Sequence, residues 1–326
     1  LSGVSLFSCG GAVFCAEHVL TAADEWGQLT PVRSQVRERL SALAQAQTDG
    51  FQVADDLLQA RSEAFRRDLG LRSAQATQEW MDAHGVSIEA FGDYLEREAC
   101  REHYTSNALP FDAAAESISA KDVDEVLWPD LVFSGNVQPW CQQLAEIVAI
   151  VCSLKGPDHV DADLATWPER LTAYGQLQEQ FRADLLTTTR LKNALRAQYH
   201  DFFLLHAEIG IFDNDAAVRE AVLCITEDGL SMEKVCEMAK GDFMHQEALL
   251  NQLPPDLQTA ALSAAPGSVL PPFEQAGRHI LMLVQAKKEP DLADERTRSL
   301  LSQRLVTEAI RPLVHEHIQW MGVTSQ

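Results

Sequence analysis

Ten histidines and seven cysteines are the side chains of this 326-residue chain best suited to chemistry near neutral pH. Two of the histidines stand in strand-like runs. In FLLHAEIGIF, residues 203–212, Leu205, Ala207, Ile209 and Ile211 share one face, while His206, Glu208 and Gly210 share the other. In GRHILMLVQ, residues 277–285, His279 precedes an unbroken apolar centre that reads as a buried strand. A third group, His315-Glu316-His317, sets its histidines about 200° apart on a helix. No CxxC or HExxH spacing occurs, so the sequence supports no metal site, and no cofactor is expected. The cysteines Cys9, Cys15, Cys100, Cys141, Cys152, Cys224 and Cys236 are odd in number and scattered. They read as buried thiols of a reducing compartment rather than a disulfide framework.

The pattern around the two strand-like runs must position their histidines. After residue 212, Asp213 and Asn214 open a helix whose Val218, Ala221, Val222 and Ile225 keep helical spacing, with Gly229 at its end. A shorter helix follows Ser231 and stops at Gly241. Then come Leu253-Pro254-Pro255-Asp256-Leu257, Pro266-Gly267-Ser268-Val269 and Gly277-Arg278-His279-Ile280-Leu281. This order of pieces resembles the parvulin family of peptidyl-prolyl isomerases, over little more than a quarter of the chain.

The resemblance implies that His206 and His279 match two histidines set back to back beneath a small pocket that grips a proline ring. It places Leu253 and Leu257 at the Met and Phe positions lining that pocket, which makes it apolar without an aromatic wall. Ala276 falls where some members carry Ser or Thr. Between the helices and Leu253, members have a longer loop with a Cys or Asp and a G-G-D-L-G turn. Here Lys240 runs straight into Gly241-Asp242-Phe243, a remnant of that turn that brings Phe243 to the substrate side. X-Pro isomerisation faces a barrier of ~20 kcal/mol, and a catalyst must bind the twisted imide better than the planar one. The missing polar loop residue is a candidate for that differential interaction. Prolyl isomerase activity is therefore expected to be weak or lost, with an active isomerase-chaperone as the alternative.

Residues 6–24, LFSCGGAVFCAEHVLTAAD, resemble the region before the catalytic histidine of trypsin-like proteases. Asp24 follows Ala23, and no G-D-S-G-G stretch supplies a nucleophile, so a small hairpin or helical cap is expected there. From Pro31 to Tyr104 the pattern is helical. Pro31 suits a first helical position, and Ser73 and Ser87 are N-caps. This series, with FRRDLGL, QEWMDAHGVS and EAFGDYLERE, is similar to the helical N-terminal domain of SurA-like chaperones. It is closer still to parvulin-related proteins encoded beside peptide-maturation enzymes. Residues 105–130 read as a connector, NVQPWCQQLAEIVAIVCSLKG as a buried helix, and about 169–200 as one long helix. After Pro290 the chain returns to helix with a kink at Pro312. In SurA-like proteins such a final helix packs back on the N-terminal domain.

The resulting expectation is an α+β fold: a mostly helical SurA-like domain plus a small parvulin-like domain with an antiparallel or mixed sheet. Its parts are residues 1–30, the helical domain 31–110, a helical insert and connecting helix 111–200, the parvulin-like domain 201–289, and the C-terminal helix 290–326. A net charge of −22 opposes phosphate backbones and anionic membranes, so neither nucleic acid nor membrane is an expected partner. The expected partner is a peptide or unfolded protein segment, with a precursor peptide and its modifying enzyme as the specific case. A non-catalytic adaptor for a peptide-modifying system is a further alternative. The cysteines point to the cytoplasm; a signal removed upstream of Leu1 would point to the periplasm instead.

Overall fold

A tight hairpin begins the described chain, residues 3–111 and 117–321 of the computed structural model. Strands β1 (Ser5–Cys9) and β2 (Ala12–Cys15) pair antiparallel across Gly10 and Gly11, whose φ angles are 58° and 88°. A Cβ on Gly10 would lie 2.9 Å from both the Cβ and the carbonyl oxygen of Pro157, so the close approach admits only glycine. Helices α1 (Ala16–Glu25), α2 (Leu29–Asp49), α3 (Asp55–Asp68), α4 (Ala74–His84) and α5 (Ile88–Ser106) follow. After them come α6 (Ala120–Phe133), α7 (Val137–Lys155) and α8 (Trp167–Leu185).

Local chemistry explains where most of these helices start and stop. Ser73 accepts from the Ala76 N–H and Ser87 from the Ala90 N–H, while Gly85 closes α4 in the left-handed conformation. Pro31 sits in the first turn of α2 but at its third residue, because the helix starts at Leu29. The span expected as a connector, 105–130, becomes helical from Ala120, and Pro129 lies inside α6. A reciprocal cap starts that helix: Ser119 accepts from the Asp122 N–H, and Asp122 accepts from the Ser119 N–H. Residues 112–116 of the expected connector lie outside the described residues. The single long helix expected over 169–200 is two. Thr187, extended at ψ 148°, caps a new helix α9 (Thr188–Ala197) and ends the run.

The chain divides into two compact units, Leu1–Arg182 with Glu308–Gln326, and Ala183–Thr307. In the first, α7 is apolar on almost every face, and Leu144, Ile147, Val148 and Val151 are all buried in the main core. Among the described residues no helix is long and apolar enough to cross a membrane.

The second unit contains a four-stranded antiparallel sheet. Its elements are β3 (Leu204–Phe212), α10 (Asp215–Thr226), α11 (Met232–Ala239), β4 (Asp242–Leu249), α12 (Pro255–Ser263), β5 (Phe273–Gln275) and β6 (Arg278–Lys288). The strand order is β4-β3-β6-β5. One face of the sheet carries Leu205, Ala207, Ile209, Met282 and Val284 against Leu257 and Ala261 of α12. The other packs Phe212 and Leu281 against Val218 of α10 and Met232 and Val235 of α11. Helix α13 (Glu295–His317) follows with Pro312 inside it. The final strand β7 (Gln319–Trp320) pairs antiparallel with β1, setting Trp320 opposite Phe7, and Leu313, Val314 and Ile318 join the core of the first unit. The fold is α+β, mostly helical with two small antiparallel sheets.

Candidate functional site

The register of the larger sheet determines where its histidines lie. His206 on β3 stands opposite Glu247 on β4 and Ala286 on β6. His279 on β6 stands opposite Phe212 on β3 and Glu274 on β5. Along β3, positions 206 and 212 are six residues apart, which at ~3.3 Å per residue is roughly 20 Å. The rings are therefore not back to back as the family resemblance implies. In an antiparallel pair, the partner of a residue is fixed by the register, and this register gives His279 a phenylalanine for its neighbour.

The remaining residues matched to a proline pocket are also dispersed. Leu253 and Leu257 are 7 % and 5 % exposed and belong to the core on the α12 face of the sheet. Phe243, on β4, packs with the α10 and α11 cluster on the opposite face. Ala276 forms the β5–β6 turn together with Gly277, at φ angles of 52° and 74°. The stretch from Lys240 to Leu253 is not simply a shortened loop. Lys240 closes α11 in the left-handed conformation, and residues 242–249 form the edge strand β4.

This edge strand sets beside His206 groups that the sequence reading did not single out: His245, Glu247 and, from β6, Gln285. His206 Nδ1 lies 3.2 Å from Glu247 Oε1, and Arg296 forms an ion pair with the same carboxylate. Two residues along, Glu208 faces His245. His206, His245, Glu247 and Gln285 line a cavity of about 260 Å³ that crosses β4, β3 and β6. The signal in the sequence is a period-2 alternation, His245 and Glu247, that mirrors His206 and Glu208. Chemically the group offers hydrogen-bond donors and acceptors in water, with the His206 side chain 40 % exposed. Beside it runs the outer edge of β4, the geometry by which an extended peptide adds to a sheet. Among the described residues no group of three or more His, Cys, Asp or Glu side chains could hold a metal ion.

A cysteine–histidine pair, Cys15 and His18, lies in the first unit, where the hairpin meets α1. Cys15 Sγ is 3.1 Å from His18 Nδ1, which also accepts the Cys15 backbone N–H at 3.0 Å. His18 Nε2 is 3.0 Å from the Ala162 carbonyl oxygen, so that nitrogen carries the proton and donates it. Burial holds the His18 pKa below its ordinary value, against the opposing effect of the Ala162 bond. With 2 % of its surface exposed, the ring serves as a cap of α1 and admits no substrate.

No family model matches the chain, and no curated protein does. Among solved structures, the foldase protein PrsA of Streptococcus pneumoniae is similar at 11 % identity, covering 96 % of this chain and 93 % of its own, with a TM-score of 0.35. PrsA of Lactococcus lactis matches at 12 % identity, 97 % and 94 % coverage and a TM-score of 0.31. A chain from the SurA-like chaperone pair PEB4 and Cj1289 of Campylobacter jejuni matches at 11 % identity, 98 % and 99 % coverage and a TM-score of 0.19. TM-scores this low leave the residues of the site to be read from their own geometry.

Proposed function

We propose that this chain is a parvulin-related, peptide-binding folding or maturation factor with weak or lost prolyl isomerase activity. The observation that carries the loss of activity is the dispersal of the six residues matched to a proline pocket, which counts against the parvulin match at His206 and His279; the parvulin relation rests on the order of the sequence pieces alone. His206 on β3 and His279 on β6 stand near opposite ends of the β3–β6 pairing, and Leu253 and Leu257 are closed into the core beneath the other face. Isomerisation requires groups that converge on one twisted imide and exclude water from it. The half-exposed His206–Glu247 pair and the open β4 edge suit a different task, holding extended backbone through hydrogen bonds. The client on this reading is a peptide or an unfolded segment, a precursor peptide being the specific case.

A protease-coupled assay on X-Pro tetrapeptides tests the catalytic half. The expected result is a rate indistinguishable from the uncatalysed one, unchanged in His206→Ala and His279→Ala. Turnover typical of a competent parvulin, lost in either variant, would restore the isomerase-chaperone reading. Suppression of aggregation of an unfolded client tests the other half, and no suppression at equimolar protein would favour the non-catalytic adaptor.

A further inference from the structure

Two cysteines far apart in sequence meet at the tip of the first hairpin. Cys9 ends β1, and Cys152 lies in the last turn of α7. The tip is held there by the approach of Gly10 to Pro157, where the backbone of residue 157 leaves no room for a side chain. Across this contact the two thiols are neighbours on the wall of one cavity. Both are buried, yet both line a cavity of about 540 Å³ together with Ser8, His317 and Gln319. A small thiol or disulfide can approach through such a cavity. Neighbouring thiols on one cavity wall can be joined when their side chains turn to the S–S length of ~2.05 Å.

We propose that Cys9 and Cys152 are a disulfide-forming pair that ties β1 to the end of α7 when a small disulfide, of the oxidised glutathione class, is the oxidant. The exchange can begin at Cys152. Its thiolate, having released its proton to water, attacks one sulfur of the glutathione disulfide. That S–S bond breaks, one glutathione thiolate leaves, and a mixed disulfide remains on Cys152. Cys9 then loses its proton, attacks the Cys152 sulfur and expels the second glutathione thiolate as the Cys9–Cys152 bond forms. Two protein thiols are oxidised by two electrons, one glutathione disulfide is reduced, and the two protons complete the two glutathione thiols.

The bond would close the chain between residues 9 and 152 into one loop, which restricts the unfolded state and favours the folded one. It would also fix β1, the strand that carries the returning β7.

Full-length protein equilibrated at graded ratios of oxidised to reduced glutathione tests the proposal. Intact mass measured without reductant should fall by two hydrogens. Proteolytic mapping should join the peptides of Cys9 and Cys152. The Tm should rise on oxidation and return on reduction. Cys9→Ser and Cys152→Ser should each abolish both changes, whereas Cys224→Ser, at a half-buried thiol outside this contact, should keep them. Persistent glutathione adducts without the cross-link, a bond joining other cysteines, or no mass change at any ratio would each overturn the proposal. Should the serine variants fail to fold, the map of the unsubstituted protein decides alone.

Discussion

His18 shows how one buried ring couples structure to pH. Its Nδ1 must remain unprotonated to accept the Cys15 N–H, while Nε2 donates to Ala162. Protonating Nδ1 would break the cap and place a charge in a site 2 % exposed. His84 is similar: burial lowers its pKa, and its Nδ1 meets the Trp80 carbonyl oxygen at 2.6 Å. Both folded-state pKa values lie below the ordinary 6.5, so between those values the unfolded chain binds more protons than the folded one. Their contribution to stability is complete above 6.5 and is lost as the pH falls below it through the lowered folded values. Tm should therefore decline as the pH falls below about 6.5. His18→Gln keeps an acceptor at this position of the cap and cannot titrate, so its decline should be shallower. An identical slope in the variant would show that His18 does not titrate on unfolding.

At the scale of elements, a buried ionic cluster joins three helices. Asp130 of α6, with no exposed surface, accepts from Arg97 of α5 at 2.5 Å and from Arg39 of α2 at 3.5 Å. Arg39 also binds Glu98 at 2.6 Å. Asp130→Ala would leave the Arg97 guanidinium charged, buried and unpaired, and should cost about 3–5 kcal/mol. The double variant Asp130→Ala with Arg97→Met should recover part of that loss in denaturant titrations. A cost below about 1 kcal/mol for the single variant would mean that water reaches the pair. None of this cluster is legible in the sequence, where charges on amphipathic helices read as solvent-facing. The caps Ser73, Ser87, Asn214 and Ser231 are legible because each acts on the turn that follows it. The apolar run of β6 is legible for the same reason: its signal is local. Strand β4 is not, since an exposed edge needs no apolar alternation, and DFMHQEAL reads as polar loop. The site suffered most, because the placement of His206 against His279 depends on a pairing register between strands some seventy residues apart. A motif match assigns each histidine to a strand but does not establish that register.

For the whole molecule, charge and size limit what could hold the proposed client. Burying a proline ring against two leucines would contribute only ~1–2 kcal/mol at ~25 cal/mol per Å², and Leu253 and Leu257 are already closed into the core. Micromolar binding needs about 8 kcal/mol. The balance must come from backbone hydrogen bonds, apolar side chains and charge, and at net −22 the charge favours a basic segment. Such attraction is long-ranged only at low salt, where the Debye length is about 30 Å at 0.01 M, and it nearly vanishes at 1 M, where it is about 3 Å. Two extended peptides with the same apolar pattern, one lysine-rich and one glutamate-rich, should thus bind the full chain unequally. The basic peptide should bind at least tenfold tighter at low salt, and that advantage should disappear at high salt while the apolar part of the affinity persists. Equal binding of both peptides at every salt concentration would reduce the acidic surface to a solubility device. Binding of neither would turn the reading toward an adaptor that recognises a folded partner instead.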